Sequence, residues 1–126
     1  MRKINLRVSV FSAGSEERKV TVKAYLTKTA GLVVHQDVKW NHSTDKPIFK
    51  RNSWSITQYP SGLAAFKAIP TSADAIDIAE NDMRHLNWVG FTGVEAVSAN
   101  DKTELDAMVA VVRTKIAALQ KSKGKK

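Results

Sequence analysis

Five side chains between positions 84 and 92 have the chemistry needed to hold a nucleotide. Aromatic faces stack on bases, guanidinium groups pair with phosphate, and Asn or Thr side chains hydrogen-bond to polar edges. With one arginine from a later helical segment they form the predicted ligand-binding set: Arg84, Asn87, Trp88, Phe91, Thr92 and Arg113. The alternative interpretation is that Trp88 and Phe91 are core residues that seal a helix onto a sheet.

A second set of residues suits single-stranded nucleic acid. Lys or Arg alternating with Tyr on an exposed sheet face gives both phosphate contacts and a stacking surface. The net charge of +8 is concentrated near these residues, because residues 1–51 contain 11 Lys or Arg against 4 Asp or Glu. This charge favours an anionic partner, although it is also typical of a solubilising surface. The candidate nucleic-acid residues are Arg7, Lys23, Tyr25, Lys50 and Arg51.

Catalytic and metal-binding signatures are missing from the sequence. There is no Cys, and the three His form no H-x-H or H-x-x-x-H pair. Neither a G-x-S-x-G nucleophile elbow nor a phosphate-binding glycine loop occurs. The sequence therefore predicts a binding protein that is not an enzyme, with no cofactor, no metal and no catalytic residue.

Alternating apolar and polar residues predict the strands that would position these groups. The alternation is clear over 4–10 and 20–26, and shorter strands are predicted over 32–35, 54–59 and 63–68. Trp54 is interpreted as a core residue. Asp37 to Arg51 has no sustained period, so we expect a long loop there, which would be either a contact surface or a mobile insertion.

Two helices are predicted to pack on this sheet. Pro70 ends a strand, and Thr71 or Ser72 is expected to cap the first helix. Ser98 or Asn100 is expected to cap the second helix, which has an apolar stripe formed by Leu105, Met108, Val109, Val112, Ile116 and Leu119. The predicted fold class is α+β, an antiparallel sheet of about five strands packed with two helices.

The second helix also predicts association between copies of the chain. Ala110 and Val111 widen its apolar arc beyond what one sheet face needs, so a homo-oligomer is expected. A deeply buried helix would explain the same pattern.

The chain is expected to form a single domain over 1–120, followed by a disordered basic tail over 121–126. The first ten residues alternate apolar with polar instead of forming the apolar run of a signal peptide, and no stretch is long enough to span a membrane. A cytoplasmic protein with no membrane partner is therefore predicted.

The run W-S-I-T-Q-Y-P-S-G-L-A (Trp54–Ala64), followed by P-T-S-A-D-A-I-D-I-A (Pro70–Ala79), resembles a hairpin–helix unit of small phage-encoded proteins, which commonly has His where Gln58 stands. With the predicted elements and the length, the chain resembles the Thoeris anti-defence sponge proteins of type one. The resemblance implies a viral protein of the host-cell cytoplasm that sequesters cyclic nucleotide immune signals, cyclic ADP-ribose isomers or cyclic oligonucleotides, without cleaving them. Two alternatives stay open: single-stranded nucleic-acid binding through the basic sheet face, and inhibition by docking on a host protein.

Overall fold

The five strands in the described part of the chain pair in chain order, so the sheet is an antiparallel meander in the order β1-β2-β3-β4-β5. The computed structural model describes residues 3–11, 17–41, 43–58, 64–86, 88 and 102–124. The strands are β1 Lys3–Phe11, β2 Glu17–Leu26, β3 Leu32–Asn41, β4 Lys46–Gln58 and β5 Ala64–Ile69. Helix α1, Ser72–Asp77, continues into a π-helical turn, Ile78–Asp82, and helix α2 is Lys102–Gly124. The predicted α+β class, with five antiparallel strands and two helices, is confirmed.

The β1–β2 hairpin separates apolar from charged side chains as its alternation predicts. Residues opposite each other in an antiparallel pair lie on the same face of the sheet. Val8 lies opposite Val20 and both are buried, whereas Arg7 lies opposite Thr21 and both are exposed. One face of the hairpin is therefore apolar and the other is polar and basic.

The sheet opens between β2 and β3. In the described part of the chain these strands pair at two positions, Tyr25 with Val34 and Leu26 with Val33. The apolar face of the β1–β2 hairpin packs with Val38 and Trp40 of β3 in a small core of its own. The main core lies between the other strands and the helices. The parting of β2 from β3 leaves a cleft on the polar face.

The long loop predicted over Asp37–Arg51 is wrong, because this segment forms the outer half of the β3–β4 hairpin. The register shifts between Gln36 and Val38, which indicates a β-bulge. The extra residue interrupts the alternation of apolar and polar side chains, and Asp45 and Asn52 adopt positive φ. The period-two pattern of a strand is therefore broken in the sequence although the chain remains extended.

The carboxylate of Asp37 holds this bulge in place. It accepts hydrogen bonds from the hydroxyl groups of Ser53 and Ser55 on β4. It also accepts one from the backbone N–H of Ala68 on β5, at 2.9 Å. Ala68 has a φ of 61°, a left-handed conformation that is unfavourable for a residue with a Cβ. One buried side chain thus links β3 to β4 and β5 and offsets the strain at Ala68.

Helix α1 begins where the sequence predicts. Thr71 is its N-cap, with the hydroxyl oxygen accepting a hydrogen bond from the backbone N–H of Asp74 at 3.1 Å and donating to the Asp74 carboxylate at 2.7 Å. Ala75, Ile78 and Ala79 are buried against the sheet.

Helix α2 packs through its predicted stripe, whose six residues all belong to the main core or pack against it. It is fixed by an ion pair between Lys115 and Asp82 at 2.7 Å and by a hydrogen bond from Gln120 to the carbonyl of Ala68 at 2.8 Å. The helix continues through 121–124, part of the segment 121–126 that was predicted to be a disordered tail. Lys and Gln are good helix formers, which allows this extension as far as Gly124. No helix in the described part of the chain is both long and apolar enough to cross a membrane.

Replacing Gly31 by alanine should destabilise the fold. Gly31 has a φ of 90°, and a Cβ there would lie 2.4 Å from the backbone oxygen of Trp88. We expect Gly31→Ala to lower the free energy of unfolding by about 2 kcal/mol or more, since left-handed backbone alone costs about 1 to 2 kcal/mol. Urea denaturation followed by tryptophan fluorescence measures this change. Ala30→Ser at the exposed neighbouring position is the control and should stay within about 0.5 kcal/mol of wild type. An equally small effect at Gly31 would contradict the prediction.

Candidate functional site

The parting of β2 from β3 creates a cleft of about 390 Å³ on the polar face of the sheet. Its volume lies within the range of small-ligand sites, about 300 to 1,000 Å³. We refer to it as the aromatic cleft. The residues that line it come from four strands: Lys3, Thr21, Val22, Lys23, Tyr25, Gln36, Phe49 and Trp54.

Two aromatic rings form one wall of the aromatic cleft. The centroids of Tyr25 and Trp54 are 6.2 Å apart, with a tilt of 42° between the ring planes. Both side chains are half-buried, so each ring packs on the protein and leaves part of its surface to solvent. Phe49, with 44% of its surface exposed, adds a third ring. Exposed rings of this kind are stacking surfaces for planar heterocycles.

Cross-strand register brings these residues together. Tyr25 pairs with Val34, and Val34 with Ile56, so Tyr25 lies on the same face of the sheet as the main core. Two residues further along, Gln36 pairs with Trp54 on that same face. The helices cover Val34 and Ile56 but leave Gln36 and Trp54 at the edge of the core, where the aromatic cleft begins.

Cations surround the aromatic wall. The Lys3 ammonium lies 5.1 Å from the centroid of the Tyr25 ring, within the range of a cation–π contact. Lys23 lines the cleft, and Arg7 is exposed one pair further along the same face of the hairpin, opposite Thr21. Among the described residues that line the aromatic cleft, none is acidic. The positive potential there favours an anionic ligand.

A buried polar network supports the cleft from the opposite face of the sheet. His35 and Asp37 flank Gln36, and Ser53 and Ser55 flank Trp54. His35 Nε2 lies 2.6 Å from the Thr57 hydroxyl, and Nδ1 lies 2.7 Å from the Gln36 carbonyl oxygen. Because a carbonyl oxygen only accepts, we assign the proton to Nδ1, so that Nε2 accepts from Thr57. These bonds, with those of Asp37, fix the backbone that carries Gln36 and Trp54.

Three residues of the first predicted set, Arg84, Trp88 and Arg113, lie in the described part of the chain. Trp88 is 4% exposed, its Nε1–H donates to the Met83 carbonyl at 2.8 Å, and its own carbonyl accepts from Gln58 at 3.2 Å. This placement agrees with the core interpretation of Trp88. Arg84 and Arg113 are exposed, and neither lines the groove between the π-helical turn and α2. The three other candidates, Asn87, Phe91 and Thr92, lie outside the described residues.

The second predicted set is partly brought together. Lys23 and Tyr25 line the aromatic cleft, and Arg7 lies on the same face, while Lys50 and Arg51 are exposed on β4 next to Phe49. Six of the described residues that line the cleft were not predicted as site residues: Lys3, Thr21, Val22, Gln36, Phe49 and Trp54. Trp54 does pack against the main core as interpreted, but it also lines the cleft. The alternation that placed Trp54 on a strand face was the one available signal.

The aromatic cleft has the groups to bind a base and a phosphate. Tyr25, Trp54 and Phe49 offer stacking surfaces, Lys3 and Lys23 offer cations, and none of the described residues that line the cleft is a histidine or a carboxylic acid. Within the described ranges, no three His, Cys, Asp or Glu side chains are grouped so that they could hold a metal ion.

Comparison with known proteins does not extend these observations: no family model matches the chain, and neither the curated proteins nor the solved structures give a significant match. The resemblance to the Thoeris anti-defence sponge proteins stays a prediction.

Stability should fall as the pH drops below about 6.5. Burial lowers the pKa of His35 from its usual 6.5, although the carbonyl of Gln36 and the charge of Asp37 oppose the shift. The unfolded chain therefore binds a proton at a pH where the folded chain does not. The contribution of neutral His35 is complete above pH 6.5 and is lost progressively below it, at no more than about 1.4 kcal/mol per pH unit.

Urea midpoints between pH 7.5 and 5 would measure this dependence. His35→Gln should flatten it, because an amide can bond Thr57 without titrating. His85→Gln, the same substitution at an exposed histidine, is the matched control. A wild-type slope in His35→Gln would show that other groups cause the dependence.

Proposed function

We propose that the protein binds single-stranded nucleic acid, with a base held in the aromatic cleft and the phosphates on the basic face of the β1–β2 hairpin. The main support is that the aromatic cleft and the basic face of the β1–β2 hairpin are continuous. The half-buried rings of Tyr25 and Trp54 lie at one end of a face that continues through Lys23 to Arg7.

The spacing of the cations suits an extended polyanion. Lys3, Arg7 and Lys23 lie on one face of two paired strands, together with Lys19, which is also exposed. Side chains at alternate positions recur about every 7 Å along a strand, so a strand face presents an evenly spaced row of charge. A compact ligand would contact one end of this row, whereas a single strand can follow it.

A base in the cleft would be bound without sequence specificity. Stacking on Tyr25 or Trp54 is available to every base, and apart from the rings and the lysines, the hydrogen-bonding side chains among the described residues that line the cleft are Gln36 and Thr21. We therefore expect the protein to bind single strands of any sequence.

The second candidate function is sequestration of a small cyclic nucleotide by a phage protein in the host cytoplasm, without cleavage, as the sequence resemblance implies. The size of the aromatic cleft favours it, because about 390 Å³ matches one small ligand. The same rings and lysines would hold such a ligand. The two functions differ in how many phosphates the protein contacts.

Salt dependence separates the two candidates. For a single strand, the logarithm of the affinity falls with the logarithm of salt concentration by about 0.7 for each phosphate contacted. We expect a fluorescein-labelled dT oligonucleotide, followed by fluorescence anisotropy, to give a slope that corresponds to three or more phosphates. Tight binding of cyclic ADP-ribose with a shallow slope, and no binding of the oligonucleotide, would favour sequestration. Binding of neither would contradict both functions.

Variants of the aromatic cleft should weaken oligonucleotide binding. Tyr25→Leu keeps an apolar side chain but removes a stacking surface worth about 1 to 3 kcal/mol, so the Kd should rise about 5-fold to 150-fold. Lys23→Ala should reduce the salt slope by about 0.7. Both effects would appear in the same anisotropy titrations.

The matched controls are Lys39→Ala, on an exposed position that does not line the cleft, and Arg84→Ala, from the first predicted set. Each removes one positive charge, as Lys23→Ala does, but neither should change the Kd more than about twofold. If Arg84→Ala weakens binding as much as Lys23→Ala, the aromatic cleft is not the site.

A further inference from the structure

Helix α2 has a second row of side chains, which faces away from the core. The row follows the three- and four-residue spacing of one helix face, and all of its members are exposed. Val111, near its centre, is 52% exposed. We call this the outer row, and it consists of Glu104, Ala107, Val111, Thr114, Ala118 and Lys121.

A groove of about 430 Å³ runs beside the outer row, between α2 and the π-helical turn. Its apolar lining residues are Ala107, Met108 and Val111. Its polar lining residues are Asn81, Asp82, His85 and Glu104, of which Asp82 is ion-paired with Lys115. An elongated partner with small apolar side chains and a positive charge at the Glu104 end would fit this shape.

The C-terminal half of α2 meets that description. Charge along the outer row changes from acidic at Glu104 to basic at Lys121, and the residues between them are uncharged. The Thr114 hydroxyl is already satisfied, because it donates to the Ala110 carbonyl at 2.9 Å. The outer row of one helix is therefore complementary in charge to the outer row of a second copy that runs in the opposite direction.

The spacing of residues in the outer row is symmetric about its midpoint, so two antiparallel copies can pair at every level. If a two-fold axis passes between Val111 and Thr114, two antiparallel copies of α2 place Glu104 opposite the partner's Lys121 and Ala107 opposite the partner's Ala118. A parallel pair would place equal charges together, which is unfavourable. In a two-fold dimer each such contact occurs twice.

We infer that the outer row is the interface of an antiparallel homodimer, in which α2 of one protomer lies along α2 of its partner. The partner's helix covers Val111 and part of the groove, and charge at both ends selects the antiparallel register. The small side chains of Ala107 and Ala118 let the two helix axes approach to the distance of about 8 to 10 Å that is typical of packed helices. The interface uses no residue of the aromatic cleft, so it is independent of the proposed function.

Disulfide trapping tests both the interface and its register, since the chain contains no Cys. In the double variant Ala107→Cys, Ala118→Cys, each cysteine would lie opposite the other cysteine of the partner. A bond within one chain is excluded, because 11 helical residues separate the two positions by about 16 Å and a disulfide needs Cα atoms less than about 7 Å apart. Both positions are exposed, so the variants should fold, and circular dichroism checks this.

After mild oxidation at low micromolar concentration, the double variant should migrate on a non-reducing gel at twice the chain mass of 13.9 kDa. Each single variant places its cysteine about 16 Å from the same cysteine of the partner and should remain at the mass of one chain. No covalent dimer from the double variant would overturn the inference. Equally efficient dimers from the single variants would overturn the antiparallel register.

Charge reversal provides a second measurement, on the unmodified surface. Multi-angle light scattering of the wild-type protein should give twice the chain mass, and Glu104→Lys or Lys121→Glu alone should raise the dimer Kd about tenfold or more. The double variant Glu104→Lys, Lys121→Glu restores opposite charges across the interface and should recover dimerisation. A wild-type protein that remains monomeric at 100 μM, or a double variant no better than the single variants, would contradict the inference.

Discussion

The Asp37 carboxylate accepts hydrogen bonds from two hydroxyl groups of β4 and from a backbone N–H of β5, and the arrangement of the second half of the sheet depends on it. Asp37 is buried at the bulge of β3, and a residue without an acceptor at this position would leave all three donors without this partner, of which the Ser55 hydroxyl is buried. A buried donor without a partner costs about 1 to 3 kcal/mol. Because the residues on either side of Asp37 follow a shifted register, the bulge also sets the direction of the outer β3–β4 hairpin.

That direction determines where the functional cleft lies. The β1–β2 hairpin packs its apolar face against Val38 and Trp40, beyond the bulge, instead of continuing to pair with β3. The main core is completed separately by the helices. Two cores on opposite faces of one sheet leave the polar face of β2 uncovered beside β3. The rings of Tyr25 and Trp54 meet at that opening.

The distribution of charge follows the same division. The cations of β1 and β2 lie on the open polar face, whereas acidic side chains concentrate on the π-helical turn and the first turn of α2. One part of the molecule is therefore suited to an anionic ligand. The other offers an acidic groove beside an apolar helix face, which suits a protein helix with a basic end. A single chain can use both surfaces because the described residues that line one do not line the other.

The sequence by itself determined the elements whose information is local. The alternation of β1 and β2, the N-cap at Thr71 and the apolar stripe of α2 all depend on residues a few positions apart, so periodicity and capping chemistry predict them. The outer β3–β4 hairpin was not predictable in this way, because a bulge removes the period on which the prediction rests. The aromatic cleft was decided by tertiary structure alone, since Tyr25 and Trp54 are brought together by pairing across β3 and by the parting of β2. The role of Trp88 was also decided by tertiary structure. Its residue type and its neighbours in the sequence fit a stacking residue, and only the hydrogen bond to Met83 and the close approach of Gly31 place it in the core.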